Sequence, residues 1–200
     1  MTSTVQQPLT FDRFLEQDLE EGRYELVNGE VVRILATRQH KDVADFVEDT
    51  LKAEVKRLNL NYKVSSKIVI RTLTSQGREQ GRHPDVSVVA KTIWEANRDA
   101  YSALGEPLQL AVEFVSTNWE DDYIDKLDEY ERLGIPEFWI VDYMGLGSRD
   151  YLGNPKEPAV LVFLLDELGK YQYTRFRSAD RVLSQTFPEL ALTVAQILAV

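Results

Sequence analysis

The chain has 200 residues, 44% of them apolar and 28% charged. This is the composition of an ordinary globular protein, and the length suffices for one domain with a substantial core. The formal net charge of −10 argues against a broad basic surface for nucleic acid, although it allows a local basic groove. There is no cysteine, which excludes disulfides, thiolate nucleophiles and iron–sulfur clusters and fits a cytoplasmic location.

The first half of the chain predicts helices and strands in alternation. Residues 1–8 are polar and lack the apolar stretch of a secretory signal, which predicts a disordered lead-in to a single domain over 9–200. Asn28-Gly29 between two apolar runs predicts a β-hairpin with strands over 24–27 and 30–35. The other predictions here are a helix over 11–20 capped by Thr10, a helix over 39–58, a strand over 62–73 and a loop over 74–82.

The second half predicts a crossover between parallel strands. Apolar strands are predicted over 85–89, 108–115 and 137–142, with a helix over 122–133 that ends at Gly134. Because that helix connects the last two strands, we expect them to be parallel. A helical turn with a loop over 92–107, a hairpin over 160–165 and 171–176, and a terminal helix over 193–200 complete the prediction. The fold class is therefore α/β or α+β with a mixed sheet.

Lys126 lies on the apolar face of the helix predicted over 122–133. At 100° per residue it falls between Tyr130 and Leu133 on a stripe that also contains Tyr123 and Leu127. A lysine on a buried face costs free energy unless it has an anionic partner. Two upstream acids on predicted strands are candidate partners: Asp85 and Glu113. The acids that point away to water are Asp125, Asp128 and Glu131.

These two carboxylates stand in apolar strands. Glu113 is the lone acid near the end of the strand over 108–115, and Asp85 follows Pro84 at the start of another strand. Two close carboxylates repel, and one would be driven to its protonated form. A divalent cation such as Mg²⁺ or Mn²⁺ removes that conflict, and a nearby lysine can stabilise developing charge. The set predicts metal-assisted hydrolysis of a phosphodiester.

The order of these motifs resembles a known superfamily. His83-Pro-Asp-Val86 followed by Glu113-Phe-Val115 looks like the PD-(D/E)XK restriction-endonuclease-like superfamily, except that Val115 stands where the lysine is usual. Lys126, followed by the segment 134–142, is similar to a bacterial restriction-endonuclease branch, partly of unknown function, whose lysine has moved to the following helix. Segments 23–30 and 183–190 resemble that branch's N-terminal hairpin and C-terminal signature. Thr117 stands where the branch often has proline.

The resemblance implies a restriction-endonuclease-like core, a central mixed β-sheet flanked by helices, and a metal-dependent endonuclease that hydrolyses DNA. By this resemblance Asp85 and Glu113 hold Mg²⁺ or Mn²⁺ together with the backbone carbonyl of Phe114. Lys126 is the catalytic lysine, and Glu25 is a further acid on the metal side. The expected partners are DNA, contacted through a local groove, and a second copy of the chain, since two sites related by a two-fold axis cut both strands most easily. No membrane contact is expected.

Each of these residues also has a structural interpretation. Lys126 could pair with Asp122 four residues earlier, and Glu113 with an arginine such as Arg82. Glu25 could be an exposed acid of the hairpin. Asp85 could mark a strand start, and Asp142, at the end of the strand over 137–142, is either an active-site acid or the cap of the next loop. His40 is more simply a structural histidine.

Two other functions stay open at this point. A regulatory or assembly module that kept the fold without catalysis is consistent with the net charge of −10 and the missing Ser-Pro pair. Hydrolysis of a smaller phosphoester or nucleotide would suit an acidic surface better than duplex DNA does.

Overall fold

The structure, a computed structural model, describes residues 7–200. Most of the lead-in predicted over residues 1–8 lies outside the described residues, so the division into a lead-in and a single domain stays a prediction. The strands are β1 (Arg23–Val27), β2 (Glu30–Ile34), β3 (Tyr62–Ser65), β4 (Val69–Leu73), β5 (Glu79–Arg82), β6 (Val86–Ala90), β7 (Ala103–Leu104), β8 (Leu110–Phe114), β9 (Glu137–Asp142), β10 (Ala159–Leu165) and β11 (Tyr171–Phe176). The helices are α1 (Phe11–Leu15), α2 (Arg38–Arg57), α3 (Lys91–Trp94), α4 (Lys126–Leu133), α5 (Arg149–Leu152) and α6 (Val194–Leu198).

A six-stranded mixed sheet forms the centre of the molecule, in the order β11-β10-β9-β8-β6-β3. The predicted crossover is confirmed, because β8 and β9 are parallel and α4 lies between them in the chain. The other neighbours in this sheet are antiparallel. The predicted hairpin of β10 and β11 is also confirmed, and so is the α+β class with a mixed sheet.

Both faces of this sheet are covered. On one face α2 packs its buried side chains Val43, Val47 and Leu51 against apolar residues of β6, β8 and β9, and α6 joins the same cluster. On the other face Tyr130 of α4 lies in a second cluster, formed with the opposite side chains of the same strands. Burial of one such large apolar side chain stabilises the fold by about 1.5–3 kcal/mol. The sheet is thereby fixed between two helical layers, and its strand ends form a rigid base for a site.

A second, five-stranded sheet follows the order β2-β1-β5-β4-β7. The hairpin around Asn28-Gly29 is confirmed, with positive φ at both turn residues. The strand predicted over 62–73 is in fact two strands in different sheets, β3 and β4. The loop predicted over 74–82 was wrong at its end, where β5 pairs with β4 and β1. Glu79-Gln-Gly-Arg82 has no apolar residue, and its pairing partners decide its conformation.

The predicted helix over 122–133 begins with an irregular turn. Residues Asp121–Asp125 form a π-helical turn in which the backbone N–H of Lys126 donates to the carbonyl of Asp121, five residues earlier. The regular helix α4 follows and ends at Gly134, whose φ of 85° makes the predicted C-cap. A π-helical turn adds one residue to a helix and occurs frequently at functional sites.

Two smaller differences concern the helices. The helix predicted over 11–20 ends at Leu15, because beyond it only Leu19 is apolar and that side chain lies on the surface. The short helix α5 has no counterpart in the prediction. None of the helices within residues 7–200 is both long and apolar enough to cross a membrane.

Candidate active site

Asp85 and Glu113 meet at neighbouring strand ends. Val86 of β6 pairs with Val112 of β8, so the antiparallel register, continued by one residue, places Asp85 opposite Glu113. Residues opposite each other point to the same face with Cβ atoms about 4.5–5.5 Å apart. The backbone N–H of Phe114 donates to Oδ2 of Asp85 (2.9 Å). Both acids are buried, so the fold holds two carboxylates next to each other away from bulk water.

Lys126 reaches these acids from the start of α4. Its Nζ donates to Oε2 of Glu113 (3.0 Å) and to Oδ1 of Asp122 (3.1 Å). It also lies 3.7 Å from carboxylate oxygens of Glu25 and Asp121. The residue is only 7% exposed. The expected anionic partner is therefore Glu113, and the alternative pairing with Asp122 is present at the same time.

The environment of Glu113 disfavours its ionised form. Tyr130 donates its hydroxyl to Oε1 of Glu113 (2.6 Å). Burial raises the pKa of Glu113 to about 8, and the charges of Asp85 and Asp122 add to that shift while Lys126 opposes it. Burial also raises the pKa of Asp122 to about 6. For Lys126, burial alone would lower the pKa, but the surrounding carboxylates raise it well above its ordinary value, so its ammonium group stays charged.

Asp85 is held in the opposite state. Arg23 donates to Oδ1 of Asp85 (2.7 Å), and Nε2 of His40 lies 3.1 Å from Oδ2. Burial would raise the pKa of Asp85, but the hydrogen bond from His40 and the charge of Arg23 hold it well below its usual range. Two adjacent carboxyl groups whose pKa values are driven apart are typical of catalytic pairs.

Glu25 joins the cluster through a buried arginine. Arg82 donates to both oxygens of Glu129 (2.8 and 2.7 Å), to Glu25 (3.2 Å) and to Asp121 (3.1 Å). The other oxygen of Glu25 accepts a hydrogen bond from the backbone of His83 (3.1 Å). The alternative of an exposed hairpin acid is therefore wrong for Glu25, which is buried. The alternative pairing of Glu113 with Arg82 is also wrong.

The side chains of Glu25, Asp85, Glu113 and Lys126 line one cleft of about 750 Å³ between the two sheets. Phe114 lines it as well, although the proposed role of its carbonyl stays a prediction. At the base of the cleft, carboxylates outnumber cations. The acids are Glu25, Asp85, Glu113, Asp121 and Asp122, and the cations are Arg23 and Lys126. A surplus of buried carboxylates is the donor set that a hard divalent cation prefers.

The donor atoms are engaged in ion pairs. Within residues 7–200 no group of three or more acidic or histidine side chains is arranged to hold a metal ion. A cation at this position would therefore use Asp85, Glu113 and a backbone oxygen, and the ion pair between Lys126 and Glu113 would have to open. Oδ2 of Asp85 already accepts from Phe114 and His40, so a cation that leaves Arg23 and His40 in place would use the second lone pair of Oδ1.

Sequence reasoning missed several residues of the cleft. Arg23 stands two positions before Glu25, so the period of two in a strand could have indicated that both point the same way. Asp121 and Glu129 gave no such signal. Arg82 joins both of them to the site, and the π-helical turn sets the position of Asp121. His40 was interpreted as structural; its contact with Asp85 joins distant parts of the chain.

A comparison with family models identifies the family, and a comparison with solved structures supports the fold. A family model described as "Uma2: Putative restriction endonuclease" matches residues 10–195. The structure is similar to a crystal structure of a "putative nuclease belonging to DUF820" from Anabaena variabilis, with a TM-score of 0.71 and 15% sequence identity. The similarity covers 96% of this chain and 98% of the other, and at this identity it shows the fold alone. No curated protein matches the chain.

Proposed function

This chain belongs to the Uma2 family of putative restriction endonucleases, and on that premise we propose that it is a Mg²⁺- or Mn²⁺-dependent endonuclease that hydrolyses DNA phosphodiester bonds. The observation that supports this most strongly is the contact of buried Lys126 with Glu113, which lies beside Asp85 in one cleft. A fold-preserving module without catalysis would gain nothing from keeping this buried charge crowding, because it costs stability.

In this proposal Asp85 and Glu113 would hold the metal with the backbone carbonyl of Phe114. When bound, a divalent cation supplies a water of lowered pKa and neutralises charge on the phosphoryl oxygens. Arg23 and His40 keep Asp85 ionised and oriented. Tyr130 fixes the orientation of the Glu113 side chain through its hydrogen bond.

Lys126 supplies the positive charge that the reaction needs. As water attacks phosphorus and the P–O bond to the leaving oxygen breaks, negative charge develops on the phosphoryl and leaving oxygens. An ammonium group fixed in a buried site stabilises that charge strongly, and loss of one such group typically slows a reaction about 10²–10³-fold. If Glu113 held the metal, Asp122 and Glu25 would still keep Lys126 charged and in place in the cleft.

Three further features belong to the proposal. We propose that DNA contacts the chain at this cleft only, because the net charge of −10 offers no broad basic surface. A homodimer is also proposed, since two clefts related by a two-fold axis could each receive one strand of the DNA. The proposed location is the cytoplasm, which the lack of cysteine fits.

The test is cleavage of supercoiled plasmid and of oligonucleotides with Mg²⁺ or Mn²⁺. Lys126→Met should lower the rate at least about 100-fold. Asp85→Asn should abolish cleavage with either metal. Lys52→Met is the matched control, since Lys52 lies half-exposed on α2 and, among residues 7–200, pairs only with Glu48 and Asp49. Equal cleavage by the wild type and Lys126→Met would remove the assignment.

A further inference from the structure

The mouth of the cleft has a different chemistry from its base. Leu35 is 82% exposed and Met144 is 41% exposed, and both line the same cleft as Asp85 and Glu113. Single exposed apolar residues are normal on a protein surface. Two large ones at the mouth of a charged cleft form an apolar rim that can contact the flat face of a ligand.

Two arginines flank this rim. Arg33 and Arg38, both exposed, stand two residues before and three residues after Leu35 and line the cleft with it. Over residues 7–200 neither guanidinium has a carboxylate within salt-bridge distance, whereas Arg23 deeper in the cleft pairs with Asp85. The first turn of α2, which carries Arg38, contains no acid. The mouth therefore offers uncompensated positive charge on a chain whose net charge is −10.

From these features we infer that the cleft receives an unpaired DNA strand rather than an intact duplex, an inference that rests on the proposed function. One base lies against Leu35 and Met144, and a neighbouring phosphate lies against Arg38. Single-strand binding sites combine cations that contact phosphates with side chains, most often aromatic, that contact base faces. Here Leu35 and Met144 would supply the second contact without an aromatic ring.

The depth and size of the cleft favour one strand over two. Glu113 is 1% exposed and Lys126 is nearly as buried, so a scissile phosphate must enter the cleft to reach them. The volume of about 750 Å³ lies in the range of small-ligand pockets, roughly 300–1,000 Å³. A base-paired duplex is stiff and carries its phosphates on a far wider cylinder. An unpaired strand, such as an overhang or a gap, can bend a single phosphate inward.

Binding of a labelled single-stranded oligonucleotide and of the same sequence as a blunt duplex, measured by fluorescence anisotropy, tests this. We expect the wild-type chain to bind the single strand at least about ten-fold more tightly. Leu35→Ser should weaken single-strand binding about 5-fold, the low end of the range for loss of a base–aromatic contact, because Leu35 has no aromatic ring. Arg38→Ala should weaken it and reduce its salt dependence. Leu168→Ser is the matched control, since Leu168 is 87% exposed in the turn between β10 and β11, and should change nothing.

Equal binding of duplex and single strand, binding of neither, or an unchanged affinity in Leu35→Ser would each overturn the inference. Its failure differs from failure of the proposed function. If duplex is cleaved with metal as fast as single strand, the nuclease assignment stands and the strand preference falls. If the single strand binds at Leu35 but no phosphodiester is ever hydrolysed, the strand preference stands and the nuclease assignment falls.

Discussion

Glu113 and Glu137 are buried acids on neighbouring strands of the same sheet, and each is 1% exposed. Their surroundings are opposite. The oxygens of Glu137 accept hydrogen bonds from the indole of Trp139 and from the backbone of Thr186, both at 2.7 Å, so neutral donors satisfy it. Glu113 is crowded by other charges, among them Lys126 and Asp85. Burial of an acid is therefore a poor guide to function, whereas unresolved crowding of like charges is a good one.

Asp142 resembles Glu137, because neutral donors satisfy its carboxylate as well. It accepts hydrogen bonds from the backbone of Leu146 (2.9 Å) and Gly147 (2.8 Å) and from the hydroxyl of Tyr123 (3.1 Å). The interpretation as a cap of the following loop is confirmed. Both acids hold the chain in place at the ends of β9, and we expect them to tolerate substitution as far as catalysis is concerned.

The largest expected effect separates the two glutamates by activity. Glu113→Gln should lower metal-dependent DNA cleavage at least about 100-fold, because it removes a proposed metal ligand and the anionic partner of Lys126. Glu137→Gln should change the rate less than about three-fold, since that side chain has only neutral contacts. Initial rates of cleavage at saturating Mn²⁺ measure both. Similar losses in the two variants would break the comparison.

The second effect is a pH dependence of stability to which Glu113 should contribute the largest part. The folded protein holds a proton on Glu113 up to a pKa of about 8, against an ordinary value of 4.5. Between these values the folded state binds more protons than the unfolded state, so stability falls as pH rises from about 4.5 to about 8. Without metal, Tm should fall by an amount on the order of 10 °C across this window.

Glu113→Gln has no titrating side chain at position 113, so most of the fall of Tm with rising pH should disappear. Glu137→Gln should keep that fall. Two other groups should act equally in both variants. Asp122, whose pKa burial raises from 3.8 to about 6, also lowers stability as pH rises, whereas His83, whose pKa burial lowers from 6.5 to about 4, opposes that fall. Thermal melts in EDTA at a series of pH values give the slopes. A wild-type slope that persists in Glu113→Gln would show that charge crowding at this residue does not limit stability.

The smallest effect concerns stability, where substitution of Glu137 should cost more than substitution of Glu113. Glu137→Gln should lower the free energy of unfolding by about 1–3 kcal/mol at pH 7, because an amide offers one acceptor where two N–H donors now need acceptors. Chemical denaturation with urea measures this. At pH 8 without metal, Glu113→Gln should be at least as stable as the wild type. A larger loss of stability in Glu113→Gln than in Glu137→Gln would contradict the distinction.

Local patterns predicted the elements that are determined locally. The strand over 137–142 agrees with β9 in both bounds, the Asn28-Gly29 turn forms its hairpin, and Gly134 ends α4. Each depends on apolar runs or on turn residues close in sequence. The division of 62–73 into β3 and β4 was missed, because the step from one sheet to the other is decided by partners far along the chain.

The site followed the same rule. Asp85, Glu113 and Lys126 were expected from their positions in apolar elements and Glu25 from the family resemblance, and the structure brings all four into one cleft. Arg82 was considered as a partner of Glu113, but it lies buried against Glu129, Glu25 and Asp121. The identity of an ion-pair partner depends on tertiary packing, which the period of a helix or a strand does not carry.

A calorimetric titration with Mn²⁺ in two buffers of different ionisation enthalpy tests most directly whether the crowded carboxylates form a metal site. The account predicts saturable binding by the wild type with release of protons near pH 7, because Glu113 must ionise to become a ligand. Binding should be lost in Asp85→Asn and kept in Glu137→Gln. Absence of binding by the wild type, or an unchanged isotherm in Asp85→Asn, would contradict it.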